Sequence, residues 1–462
     1  MLRLAVPVVT VQVGMMLMGV VDTVMVGHLS AGGSSVGLAA VALGHLYFFG
    51  IGVFGMGTLM VLDPVVAQAV GARDETAVAR GIQRGVLLAV VLAVPLIAIL
   101  LVAGPLLGLA RQPAEVVPLA AAYTVRLAPG VLPFFLFIVF RQSLQAMRRT
   151  GAIVAAILVA NVVNAGLNWL LIFGHGPVPA LGVLGSAWAT TVSRWILLGM
   201  LLGLAWDDLR PRLVEHRPEI WEAAPLGRML RLGLPIGFQY VLEFGAFACV
   251  ALMMGWLGTR QMAGHQVAIN LASLTFMVPL GVGDAASVLV GHAVGRADPA
   301  GARGAARAAF FCGVGFMACT AIVFLSLPHG LARLYTDEAA VVGVAAMLIP
   351  LAGVFQVFDG LQVVAGGILR GLGETRVAMM VNLVGYWLLG LPVSYLLGIR
   401  AGWGPVGLWW GLVVGLAVVA SVLLTRVRIA LRRQQARVVI DATSEPAGVR
   451  GWSPTSPSGA RD

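Results

Sequence analysis

The sequence contains no lysine, and only 11% of its 462 residues are charged. A soluble chain of this length carries roughly a quarter of its residues as charges, so a soluble globular protein is excluded. Cysteine is scarce as well. Cys249, Cys312 and Cys319 sit inside apolar runs at spacings unlike a metal knuckle, and read as packing residues with no disulfide framework. No nucleophile–base or metal-ligand constellation is present, so an enzyme is not expected. The filter or charge ring of an ion channel is also missing.

What remains is hydrophobic: 59% of residues, with a mean hydropathy of +0.94. Apolar runs long enough to cross about 30 Å of hydrocarbon recur along the chain. The fold class is an all-α polytopic membrane protein. Breaks rich in Gly, Pro and charge delimit twelve spans at roughly 4–27, 36–67, 85–109, 115–140, 152–173, 182–205, 232–257, 262–290, 305–328, 341–368, 377–399 and 404–425. The first apolar run exceeds signal-peptide length and contains Asp22, so it is expected to be span 1. The net charge of +10 is carried by arginine and speaks first of topology, not of a nucleic-acid partner. Before the tail, seventeen arginines fall on the terminus-bearing side and four (Arg111, Arg260, Arg333, Arg400) in the opposite loops. The positive-inside rule then makes both termini cytoplasmic. Four regions follow: a lobe over 1–205, a charged linker over 206–231, a second lobe over 232–425, and a basic tail over 426–462. The tail ends in GWSPTSPSGARD and is expected to be disordered.

The two lobes repeat one another. RLAVP at 3–7 returns as RLGLP at 231–235, VAQAVGARD at 66–74 as LVGHAVGRAD at 289–298, and GVLGSAW at 182–188 as GPVGLWW at 404–410. A six-span repeat keeps its orientation, so the lobes should be related by a pseudo-two-fold axis along the membrane normal, as in transporters with a cavity between rocking halves.

Three carboxylates interrupt the apolar runs: Asp22 in span 1, Glu243 in span 7 and Asp359 in span 10. Each costs about 2.5–3.5 kcal/mol at a helix centre, which calls for a partner or a function. Glu243 and Asp359 lie near one level of the second lobe, where no arginine reaches midplane depth in this reading. Two such groups in low dielectric take up a proton or a metal cation readily. For Asp22 an ion pair with Arg126 or Arg194 is an alternative. Asp63 and Asp284 fit a solvated helix end or a cap as well as they fit a function. Asn164 and Asn168 share a face of span 5, beside Asn161, and suit interhelical hydrogen bonding and ion binding equally. His265 and His292 read as packing residues, and Met15, Met16, Met18, Met253 and Met254 as core. Phe244, Phe276, Phe355, Phe358, Tyr386 and Trp387 could offer apolar or cation–π contacts to a substrate.

Five stretches carry a family resemblance: VDTVMVGHLS (21–30), PVVAQAVGARD (64–74), NAGLNW (164–169), AGHQVAIN (263–270) and DGLQVVAGGILRGLGET (359–375). With them the chain resembles the multidrug and toxic compound extrusion (MATE) family, in its bacterial NorM-type branch. The resemblance implies a cation-coupled antiporter of the bacterial inner membrane. It would expel amphipathic organic cations and drugs against Na⁺ or H⁺, act as a monomer and need no other cofactor. It further implies a second-lobe cation site at Glu243 and Asp359, and a first-lobe site at Asp22 with Asn164, Asn168 and Thr190 close by. One position departs. Phe355 stands where members of this branch can carry a tyrosine, so a hydroxyl ligand is missing. The rival on the same two-lobe plan is a flippase or exporter of a lipid-linked or other endogenous metabolite, whose phosphates would call for cavity arginines.

Overall fold

The structure, a computed structural model, describes residues 1–30, 35–109, 113–174, 179–215, 218–433 and 436–441. These residues form helices and no strand. Hydrocarbon offers the backbone no hydrogen-bond partner, so a spanning segment must satisfy itself internally. Twelve helical stretches are long and apolar enough to cross. The first six are α1 (Leu2–His28), α2 (Val36–Gly71), α3 (Glu75–Leu101), α4 (Val117–Ala146), α5 (Gly151–Phe173) and α6 (Val183–Leu204). The second six are α7 (Ala223–Leu257), α8 (Thr259–Gly295), α9 (Pro299–Ser326), α10 (Ala339–Gly371), α11 (Thr375–Arg400) and α12 (Gly404–Arg432). The even count returns the chain to the side on which it began.

Span 3, expected at 85–109, is the helix Glu75–Leu101, and two of the region boundaries also differ from the sequence reading. Residues 223–231, expected in the linker, are the first turns of α7, because Met229 is buried against the first lobe and draws the helix onto it. The linker proper holds a short helix, Trp206–Leu213, and a single turn at Pro218–Trp221. The tail begins in order, contrary to expectation. α12 runs to Arg432, and residues 436–441 lie along the terminus-bearing face. There the Val438 amide donates to Gln68 Oε1 (2.7 Å), Arg228 donates to the Ile440 carbonyl (2.6 Å), and Arg437 pairs with Asp74 (2.9 Å). The Ala77 amide, and after it the Arg437 guanidinium, hold the Asp74 carboxyl below the usual carboxylate range. Residues 442–462 lie outside the described residues.

The duplication is visible in the backbone. After α2, α4, α8 and α10 the chain turns by one and the same pattern, in which the amide five residues on closes back to the first carbonyl. The bonds are Asp74 N to Ala69 O, Arg149 N to Leu144 O, Asp298 N to Ala293 O and Glu374 N to Leu369 O. Such a turn needs a left-handed residue, supplied by Arg73, Arg148, Ala297 and Gly373. Asp74 and Asp298 then cap the following helices through the amides of Ala77 and Gly301.

Each lobe has its own core. The division at the linker is incomplete, since Leu4, Ala5 and Val8 from the first turns of α1 pack in the second core. Between the lobes the backbones nearly touch on the terminus-bearing half. A Cβ at Gly295 would collide with the Gln68 carbonyl, and one at Gly71 with the His292 carbonyl. Only glycine permits that approach.

Candidate functional site

Two chambers flank this seam, one in each lobe, of about 370 Å³ and 360 Å³. Phe49, Val53 and Met56 of α2, with Met277 and Leu280 of α8, line both and form the wall between them.

In the second-lobe chamber, Glu243 from α7 and Asp359 from α10 face a common space. Gln362 donates to Glu243 Oε2 at 3.4 Å and accepts from the Tyr386 hydroxyl at 2.7 Å. Tyr386 therefore stands behind Gln362 and does not line the chamber. Asp359 accepts no hydrogen bond among the described residues, although it is 6% exposed. A carboxylate without donors in so buried a place has strong affinity for a proton or a bare cation. Gln362 was not singled out from sequence. Its spacing of three from Asp359 places both on one helix face, which was the available signal.

The aromatic expectations divide. Phe244, Phe276 and Phe355 line this chamber. Phe355 is packed edge-on against Phe247 and Trp409, a wall with no ligand atom. Phe358 and Trp387, like Tyr386, line neither chamber. Phe358 packs against the second-lobe core, and Trp387 is bound through its indole N–H to the Leu242 carbonyl.

In the first-lobe chamber Asp22 is fully buried and well supplied with donors. Asn168 Nδ2 and Thr190 Oγ1 each donate to it at 2.6 Å, and Asn168 also donates to Asn164 Oδ1 at 3.2 Å. Asn161 turns away to the Gly14 carbonyl. The ion pair considered for Asp22 does not form. Arg126 bonds its own helix at Ala122, and the Arg194 guanidinium lies 4.1 Å from the Phe48 ring centroid. His45, unanticipated, sits 3.9 Å from Asp22 and 2.9 Å from the Tyr123 hydroxyl.

Asp63 and Asp284 are neither solvated nor capping. Both are buried in the seam around Arg370. Arg370 donates to Asp284 at 2.8 Å and to the Tyr240 hydroxyl at 3.3 Å, and its Nε lies 3.7 Å from Asp63. Gln12 donates to the other Asp284 oxygen at 3.0 Å and accepts from Arg141 at 3.2 Å. Two acids and two guanidiniums thus balance within one buried cluster drawn from both lobes. Arg370 also lines the second-lobe chamber, from the terminus-bearing end of α10 eleven residues beyond Asp359, and its ion pairs among the described residues are with Asp63 and Asp284, not with Glu243 or Asp359. His292 is a further seam residue, bonded at 2.7 Å to the Ala146 carbonyl.

The chain has known relatives. The MatE family model matches the chain twice, over 7–170 and 235–396, once per lobe. A probable multidrug resistance protein NorM of Rhizobium meliloti (strain 1021) is 37% identical over 448 residues, covering 94% of each chain. A multidrug resistance protein MdtK of Pectobacterium atrosepticum is 34% identical, covering 95% of this chain and 97% of the relative. Among solved structures, the eukaryotic MATE transporter AtDTX14 aligns with a TM-score of 0.84 at 24% identity, over 94% of this chain and 97% of that one. An outward-facing MATE family transporter aligns equally well at 20% identity, over 93% and 95%. These last two establish likeness of fold. With both lobes matched and relatives spanning nearly its whole length, the chain belongs to the MatE family and is a membrane transporter of the NorM type.

Proposed function

We propose that this transporter exports amphipathic organic cations, drugs among them, in exchange for Na⁺ or H⁺, with its terminus-bearing side in the cytoplasm of a bacterial cell. The observation that carries the proposal is the pair Glu243 and Asp359 facing one chamber, with Asp359 free of donors. The names of the NorM and MdtK relatives support the substrate class. Phe244 and Phe276 offer ring faces to a flat cation beside the acids.

The cycle needs no covalent chemistry. From the outside a proton or Na⁺ reaches Glu243 and Asp359, neutralises them and releases the bound drug. From the inside the ion leaves and a lipophilic cation takes its place. Ion and drug compete for the same negative charge, and that competition is the coupling. In the described state the glycine seam and the Arg370 cluster close the cytoplasmic half, and opening inward requires both to part. Asp22, held by Asn168 and Thr190, serves as a second ion-accepting position in the first lobe. Export of a lipid-linked anion fits less well, because Arg370 is occupied by Asp284 and Asp63 and Arg194 lies against Phe48.

Ethidium efflux from proteoliposomes under an imposed Na⁺ or H⁺ gradient tests this reading and identifies the driving ion. Glu243→Gln and Asp359→Asn should each remove most of the gradient-driven efflux, because each deletes a charge for which ion and drug compete. Undiminished efflux in both variants would refute the assignment.

A further inference from the structure

A groove lies outside both chambers. It has a volume of about 820 Å³ and runs between α9 and α12. Both helices pack against α10 but scarcely meet each other, so the groove is floored by Leu361 of α10. Its terminus-bearing end is ringed by Arg303 and Arg307 of α9 and Arg428 and Arg432 of α12. Further in, the walls are apolar, with Phe310, Phe311 and Leu424.

Two features make this rim unusual. Arg303 and Arg307 are one helical turn apart, as are Arg428 and Arg432, so two like-charged pairs face one another, and like charges at that spacing repel. No carboxylate lines the groove among the described residues, and none of the four arginines forms an ion pair with them. On the same helix Arg426 does have its counter-charge, gripping Glu374 through two nitrogens at 2.6 Å and 3.0 Å. The four guanidiniums thus lack a partner that the neighbouring site possesses.

Depth indicates what the partner is. Arg307 lies eight residues into α9, about 12 Å from its start at 1.5 Å per residue, while Phe311 is a further turn in. Charge near the membrane surface with an apolar trough beneath it matches a phosphate headgroup with an acyl chain below. Guanidinium binds phosphate in a forked geometry, and basic pockets between spanning helices suit anionic headgroups. We propose that this groove is a specific site for one anionic phospholipid, its phosphate held by Arg303, Arg307, Arg428 and Arg432 and an acyl chain lying along Phe311 and Leu424 over Leu361. The site is independent of the transport cycle proposed above. It nevertheless shares α10 with Asp359, which faces the chamber while Leu361 faces the lipid.

The test is native mass spectrometry of the full-length protein after exposure to equal amounts of phosphatidylglycerol and phosphatidylcholine. Wild type should retain phosphatidylglycerol selectively. Arg307→Gln with Arg428→Gln should weaken that retention on the order of tenfold. Gly315→Phe supplies a second arm. Gly315 lines the groove and a Cβ there meets nothing within 4 Å, so the ring fills the trough without disturbing the packing or the four charges. It should also displace the lipid. Arg3→Gln with Arg231→Gln removes the same charge from the same side away from the groove, and should leave retention unchanged. Retention in the groove variants equal to wild type, or equal loss in the Arg3/Arg231 control, would overturn the site in favour of diffuse attraction.

Discussion

Arg370→Met should destabilise the protein by about 3–5 kcal/mol, the usual result of stranding a buried charge without its partner. The residue is 3% exposed and holds Asp284 and Asp63 between the lobes. Its loss leaves the cluster with two carboxylates against Arg141 alone. The same logic predicts a rescue. Arg370→Met combined with Asp284→Asn leaves Asp63 and Arg141 balanced, so most of the stability should return, in violation of simple additivity. Thermal unfolding of the purified single and double variants checks both statements. A single variant as stable as wild type, or a double variant worse than the single, would show that the cluster does not act as a charge-balanced unit.

Gly295→Val should abolish transport while leaving the protein folded. The new side chain has no room against the Gln68 carbonyl and the Ala72 amide of the opposite lobe, whereas neither lobe core is touched. Overpacking of this kind costs about 1–3 kcal/mol. Here the cost falls on the closed seam, so the ratio of seam-closed to seam-open molecules should drop by about 5–150-fold. Spin labels on Thr76→Cys and Ala300→Cys, in a background without the three native cysteines, report the gap directly. The variant should shift their distance distribution to longer values. An unchanged distribution, with efflux intact, would mean the lobes need not approach so closely.

The sequence made the helices and the chamber acids legible for one reason. A carboxylate in an apolar run stands out against its background, and Glu243 and Asp359 have only to be counted inward from the helix ends. The seam cluster was hidden because α10 continues as a helix past the expected end of its span at 368, to Gly371. Arg370 therefore sits beside a turn in the sequence yet between lobes in space. Its partner Asp63 is contributed by the other lobe, which no local pattern reveals. Helical phase explains which α10 aromatic lines the chamber. Phe355, four residues before Asp359, shares its face, whereas Phe358, one residue before, points about 100° away. The donors to Asp22 came from a family likeness, and the spacing of the asparagines alone left hydrogen bonding and ion binding equally open. His45 was missed because its relation to Asp22 is purely tertiary.

The central claim is that drug and coupling ion exchange for the same charge on Glu243 and Asp359. It is tested most directly by titrating the purified transporter with tetraphenylphosphonium, in weak buffer and separately in limiting Na⁺, while ion release is followed. The account predicts that each bound cation expels protons or Na⁺ from wild type, and that Glu243→Gln with Asp359→Asn removes both the release and the binding. Tight binding by the double variant, or binding by wild type without release of either ion, would contradict it.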